Sequence, residues 1–281
     1  MSMKPIQRID VGSIATHAIL MGYTVLTLAP VLLVVMNSFK TRRAIFRDPL
    51  MPPTAESFSL AGYETAFLRG DFGLYFLNST IVTLVSLAII LAVGLMAAHA
   101  IVESTWKGTR WIVIYFAIGL MIPIRLATVS LLQMIAGMDL TNSLLGLIIV
   151  YSAQGVPLSI LVLSEFLRQL PQSLKDAARI DGADEYRILF QIILPLVRAP
   201  MATVAIFSMM PIWNDLWFPL ILAPGNQTLT VTLGAQKFLG EFVSDWSAVL
   251  AALTVSALPV LGIYMLFSRQ FIRGITSGAV K

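Results

Sequence analysis

Four long stretches of the chain contain no Asp, Glu, Lys or Arg: Val11–Phe39, Phe72–Val102, Leu140–Ser164 and Trp246–Ser268. A helix needs about 20 apolar residues to cross a hydrocarbon layer roughly 30 Å thick, because each residue rises about 1.5 Å. All four are long enough. Two further apolar runs hold one charge each, Arg125 within Trp111–Leu132 and Asp215 within Pro200–Leu222. The pattern predicts an all-α membrane protein, one transmembrane domain over residues 1–281, with six spans near 14–36, 76–99, 111–131, 144–165, 200–222 and 248–268. Composition agrees, with 57% hydrophobic and 12% charged residues, where a soluble domain carries about 25% charged. That excludes a soluble globular enzyme, a disordered chain and a nucleic-acid binder. With no Cys, disulfides, thiolate metal sites and thiol nucleophiles are excluded too. The two histidines, His17 and His99, are too far apart in sequence to suggest a metal cluster.

Orientation follows from where Lys and Arg fall. With the N-terminus inside, twelve lie on the cytoplasmic side: Lys4, Arg8, Lys107, Arg110, Arg168, Lys175, Arg179, Arg187, Arg198, Arg269, Arg273 and Lys281. Six lie outside: Lys40, Arg42, Arg43, Arg47, Arg69 and Lys237. Both termini are therefore expected in the cytoplasm, with Lys40–Arg47 an exception to the rule. The run after Lys4 and Arg8 is too long for a signal-peptide core and no small-residue cleavage site follows it, so it reads as an uncleaved first span. The pairs Asn78-Ser79 and Asn142-Ser143 read as helix caps, their side chains accepting bonds from first-turn N–H groups.

Between the fourth and fifth spans runs a polar loop, residues 171–195. Pro171 suits a helix start, and Gly182 suits the left-handed residue just beyond a helix end. Asp184 and Glu185 stand where acidic groups favour the positive end of a second helix, and Pro195 closes it. The reading is a helix, a glycine turn and a second helix on the cytoplasmic face. The small residues Ala177 and Ala178 leave room for another backbone. On physics alone, an amphipathic loop lying on the membrane explains the segment as well.

The spacing of this loop resembles the "EAA" loop of ABC-importer permeases: acidic-Ala-Ala, three residues, Gly, nine residues, Ile, any residue, Leu-Pro. Here the positions are Asp176, Ala177, Ala178, Gly182, Ile192, Leu194 and Pro195. Asp176 stands where the family usually has Glu, one methylene longer. Tyr75–Ser79, Met121–Pro123, Trp213–Asp215 and the tail Arg269–Lys281 are similar to the carbohydrate-uptake branch, and more narrowly to its maltose-type second permease. The resemblance implies a type I import system with a second, non-identical permease subunit, two ATPase subunits and an extracytoplasmic solute-binding protein. The chain itself would bind no cofactor; ATP and Mg would sit on the ATPase subunits. In such systems the helix with the acidic-Ala-Ala-Gly motif docks in a cleft of the ATPase and transmits its closure to the spans. The acidic residue would pair with a basic group there, and the glycine would set the bracket angle. The sequence has no Gly-Lys pair, hence no phosphate-binding loop of its own.

Charges within spans are functional candidates by default. Arg125 and Asp215 fall at similar depths of helices that run the same way, which predicts that they face one interior and form an ion pair. Trp213, Asn214 and Asp215 combine an aromatic face with amide and carboxylate groups, a set suited to a sugar or polyol path and equally to helix–helix bonding. A secondary transporter or channel is the alternative, but that class would show ionisable residues along several spans or an internal repeat. An intramembrane enzyme would need a catalytic constellation, and none is found.

Overall fold

The computed structural model describes residues 11–239 and 244–279, with the side chains of 11, 14, 264 and 266–279 excepted. Lys4, Arg8 and Lys281 lie outside the described residues, and of the tail only the helical backbone is described. Besides short helical segments at Arg42–Arg47, Ala61–Glu64 and Thr65–Arg69, the helices among the described residues are α1 (Val11–Ser38), α2 (Phe72–Glu103), α3 (Thr109–Met121), α4 (Ile124–Gly137), α5 (Leu144–Arg168), α6 (Gln172–Ile180), α7 (Glu185–Leu196), α8 (Arg198–Asn214), α9 (Trp217–Leu222), α10 (Val231–Gln236) and α11 (Trp246–Ala279). The chain divides into two compact units, Met1–Gly70 with Lys237–Val255, and Asp71–Gln236 with Ser256–Lys281.

In the first unit, α1 is apolar on every side and exposes Ile19, Leu20, Met21, Tyr23 and Leu26. Only its last turns are buried, at Asn37 and Ser38. A helix of that kind is stable where lipid replaces water. The basic segment that follows is partly folded inward. Lys40 is 2% exposed and donates Nζ–H bonds to Asn37 Oδ1 (3.0 Å) and the Asp48 carbonyl (3.0 Å). Burial pushes its ammonium below the ordinary lysine range, against the raising effect of Asp48. Arg47 pairs with the Asp48 carboxylate at 3.0 Å. Two of the four cations of Lys40–Arg47 are thus tied into the loop itself.

The second unit is built around α2 and α5. Val82, Ile90, Leu95 and Ala98 of α2 share a core with Leu147, Val150, Tyr151, Leu163 and Leu167 of α5 and Val204 and Ile212 of α8. Small residues let the backbones close up: a Cβ on Gly94 would stand 2.0 Å from Ser159 Oγ.

Among the described residues, four helices are long and apolar enough to cross a membrane, and up to six spans result when each bent pair counts as one. Two expected spans are broken. The third splits at Ile122-Pro123, with an 83° bend between α3 and α4. Pro123 has no N–H to donate and forces the residue before it out of helical geometry, and Ile122 is extended (φ −80°, ψ 120°). The expected fifth span is interrupted at Asp215-Leu216, where Asp215 turns extended (ψ 136°) and α9 restarts. A further bend of 78° at Val197 separates α7 from α8. Asn78 and Ser79 are not caps. Helix α2 begins six residues earlier, at Phe72, and their buried side chains bind the segment before α10. Ser143 does cap α5, its Oγ accepting from Leu145 N at 3.1 Å, while Asn142 Oδ1 accepts from Gly225 N and Thr228 Oγ1, both at 2.7 Å.

Candidate functional site

Residues 171–196 form the bracket that the spacing predicts. Helix α6 ends at Gly182 with φ +82°. Ala183 N–H donates to the Ala178 carbonyl (2.9 Å) and Gly182 N–H to the Arg179 carbonyl (3.1 Å), the paired closure that a left-handed residue permits at a helix end. Nothing lies within 4 Å of where a Gly182 Cβ would point, so the glycine is required by its backbone angle and not by crowding. Asp184 then caps α7, its Oδ1 accepting from Arg187 N at 2.7 Å. Pro195 does not stop the helix, which runs on to Leu196 before bending at Val197.

The motif residues divide between two faces. Ala178 is buried in the core with Ile188, Leu189 and Ile193, and Ile192 and Leu194 pack against it from the edge. Those residues seat the bracket. Ala177, Asp176, Gly182 and Pro195 are exposed. So are the apolar side chains of Leu174, Ile180 (85%), Tyr186 (73%) and Phe190. Of the two small residues expected to leave room for another backbone, Ala177 is exposed and Ala178 is packed in this chain's own core.

Charges of the bracket are joined in a network that reaches beyond the motif residues. Arg179 sends each of its three nitrogens to a different carboxylate: Nε to Glu185 Oε1 (2.9 Å), Nη1 to Asp176 Oδ1 (3.1 Å) and Nη2 to Glu103 Oε2 (2.7 Å). Lys175, 3% exposed, donates to Glu103 Oε1, the last residue of α2 and 16% exposed. His99 Nε2 lies 3.2 Å from Glu185 Oε2. The hydrogen bonds to Glu185 and Glu103 raise the Arg179 guanidinium further above its ordinary range. The hydrogen bond from Arg179 holds the Glu185 carboxyl below the usual carboxylate range, against partial burial. Asp176 also accepts from Gln172 Nε2 at 3.3 Å on the same oxygen. The sequence signal for this network was present but unread: Glu103 ends one of the longest charge-free stretches.

At the other predicted site, no ion pair joins Arg125 to Asp215 among the described residues. Asp215 Oδ2 accepts from Tyr151 OH (2.9 Å) and Phe218 N (3.1 Å), and Oδ1 from Trp217 N (3.1 Å). It caps α9 where the span breaks. The Arg125 guanidinium instead lies over the Trp217 ring, 5.9 Å from its centroid, and Trp217 Nε1 donates to Thr128 Oγ1 at 3.0 Å. Trp213 is buried, edge-on to Phe76 and bonded to the Ser256 carbonyl at 3.0 Å. Asn214 Nδ2 turns back to the Met210 carbonyl at 2.9 Å. The exposed aromatic is Trp217, one turn beyond the residue that sequence reasoning chose.

Comparison with known proteins matches residues 90–277 to the family described as the binding-protein-dependent transport system inner membrane component. The chain is 33% identical over 95% of its length, and 88% of the relative's, to a diacetylchitobiose uptake system permease protein, NgcG, of Streptomyces coelicolor. It is 31% identical over 92% of its length, and 93% of the relative's, to a probable starch degradation products transport system permease protein, AmyC, of Thermoanaerobacterium thermosulfurigenes. Its fold matches a chain of a bacterial ABC transporter involved in import of the acidic polysaccharide alginate, with a TM-score of 0.81 over 95% of this chain and 99% of that one at 17% identity. The chain belongs to the binding-protein-dependent inner membrane transport family, as a multi-pass ABC-importer permease.

Proposed function

We propose that the chain is one of two non-identical permease subunits of an importer for a sugar, oligosaccharide or polyol, driven by ATP and Mg bound on two separate ATPase subunits. An extracytoplasmic binding protein would deliver the substrate, and both termini would lie in the cytoplasm. The names of the carbohydrate-uptake relatives support the substrate class.

The observation that carries the reading is the bracket: its charges are bonded to one another and to Glu103, while Leu174, Ile180, Tyr186 and Phe190 stand exposed. Bulky apolar side chains presented by a braced polar helix pair suit a protein cleft. The unbonded Asp176 oxygen is available to a basic group of the ATPase, and Ala177 leaves space for its backbone. Arg125 and Trp217, with Asn214 beside the break, would line the substrate path. Asp215 and Trp213 hold the break in shape.

The test is ATP-driven uptake by the assembled complex carrying Gly182→Val. A β-branched residue is strained at φ +82°, so the bracket angle is lost. Uptake is expected to disappear while membrane insertion remains. Undiminished ATP-dependent uptake would remove the bracket from the coupling path.

A further inference from the structure

Helix α2 is fastened at both ends by polar side chains, to different parts of the same unit. At one end Glu103 receives Lys175 and Arg179 of α6. Toward the other end, Asn78 Nδ2 donates to the carbonyls of Gln227 (2.9 Å) and Leu229 (3.0 Å), and Ser79 Oγ accepts from Val231 N at 2.8 Å. Gly234 of α10 is pressed against Tyr75, since a Cβ there would stand 2.1 Å from the ring. Asn78 and Glu103 are separated by roughly 37 Å of helix at 1.5 Å per residue. Unlike α1, α5, α8 and α11, α2 contains no proline, the commonest cause of a kink.

Lys175 is the most telling member. An ammonium 3% exposed is costly to bury without a counter-charge, and Glu103 is the one it has among the described residues. The pair therefore cannot separate cheaply: a displacement of α6 must move Glu103 or strand a buried charge. The remaining oxygen of Glu103 is held by Arg179, which also grips Asp176 and Glu185. The bracket is thus attached to α2 through the Glu103 carboxylate, which takes two of its cations, and through the exposed-side contact of Glu185 with His99 (3.2 Å).

We propose that Glu103 is the positioning residue that makes α2 a connecting rod, carrying movement of the bracket to the segment 227–234 at its far end. This rests on the coupling role of the bracket. The assembled complex, reconstituted in vesicles, is measured for uptake and ATP hydrolysis side by side. Glu103→Gln is expected to keep ATPase association and hydrolysis while uptake per ATP falls about ten-fold, the size typical of a lost coupling contact. Hydrolysis and uptake falling in proportion, or neither changing, would overturn the proposal. If the wild-type complex holds no ATPase, it is the coupling role itself that fails.

A second variant covers the case in which Glu103→Gln does not fold. Because the chain has no cysteine, Glu103→Cys with Lys175→Cys can be bridged by a reversible bifunctional thiol reagent. Uptake should be low unbridged, recover on bridging and fall again on reduction. Bridging that lowers uptake further, or leaves it unchanged, would show that α6 must slide past α2.

Discussion

In the bracket, Lys175, Arg179, Glu103, Asp176 and Glu185 are bonded to one another. At the break between α8 and α9, by contrast, Asp215 and Arg125 ignore each other, one taking a phenol and two amide N–H groups, the other an indole face. The difference follows from the surroundings. Every one of the bracket charges except Lys175 keeps some exposure, so carboxylates and cations can share partners without full desolvation. Inside a span, bringing two charges together strips water from both, and neutral donors already held in place stabilise a carboxylate at lower cost. Charge in the bracket fixes the position of a helix; charge at the break fixes the shape of an interruption.

Removing Asp215 should have the largest effect. Asp215→Ala leaves the buried Tyr151 hydroxyl and two amide groups without acceptors, and about 3 kcal/mol of stability should be lost, each orphan costing about 1–3 in isolation. Thermal unfolding in detergent measures it. Asp215→Asn keeps one carbonyl oxygen for the α9 amides and should lose about half as much. The same variants sharpen the contrast with the bracket: the exchanged pair Arg125→Asp with Asp215→Arg should transport no better than either single change. Recovery in the double variant would mean that the two charges do communicate and that the break resembles the bracket.

Much of this was legible in the sequence, and what was not has physical causes. Charge-free length marked out the four long apolar helices α1, α2, α5 and α11, because hydrocarbon tolerates so few charges. It could not locate the interruptions, since a charge inside a span reads alike whether it pairs across helices or caps a new one. The motif spacing placed Gly182 and the two bracket helices. It did not sort Ala177 from Ala178, because which of two adjacent alanines faces inward depends on how the bracket docks on Ile188 and Ile193. The network escaped because its members, His99, Glu103, Lys175, Arg179 and Glu185, come from three helices, and their meeting is a tertiary fact. Asn78-Ser79 misled for the same reason: a cap and a mid-helix clamp use the same residue types.

Acid should affect the bracket least, and in a definite direction. Arg179 holds the Glu185 carboxyl below its ordinary range, so the folded bracket favours the ionised form. Its contribution is fully present above the usual glutamate value of about 4.3 and is lost as the pH falls through the lowered folded value. With Glu185 54% exposed, solvent screening limits the effect to under about 1 kcal/mol. Hydrogen exchange of the α6 and α7 amides, compared at pH 6 and pH 3.5 with exchange chemistry corrected, should show opening only at the lower value. Glu185→Gln should flatten that dependence. Opening that begins well above the carboxylate range, or that persists unchanged in Glu185→Gln, would take control of the bracket away from Glu185 and the Arg179 fork that holds it.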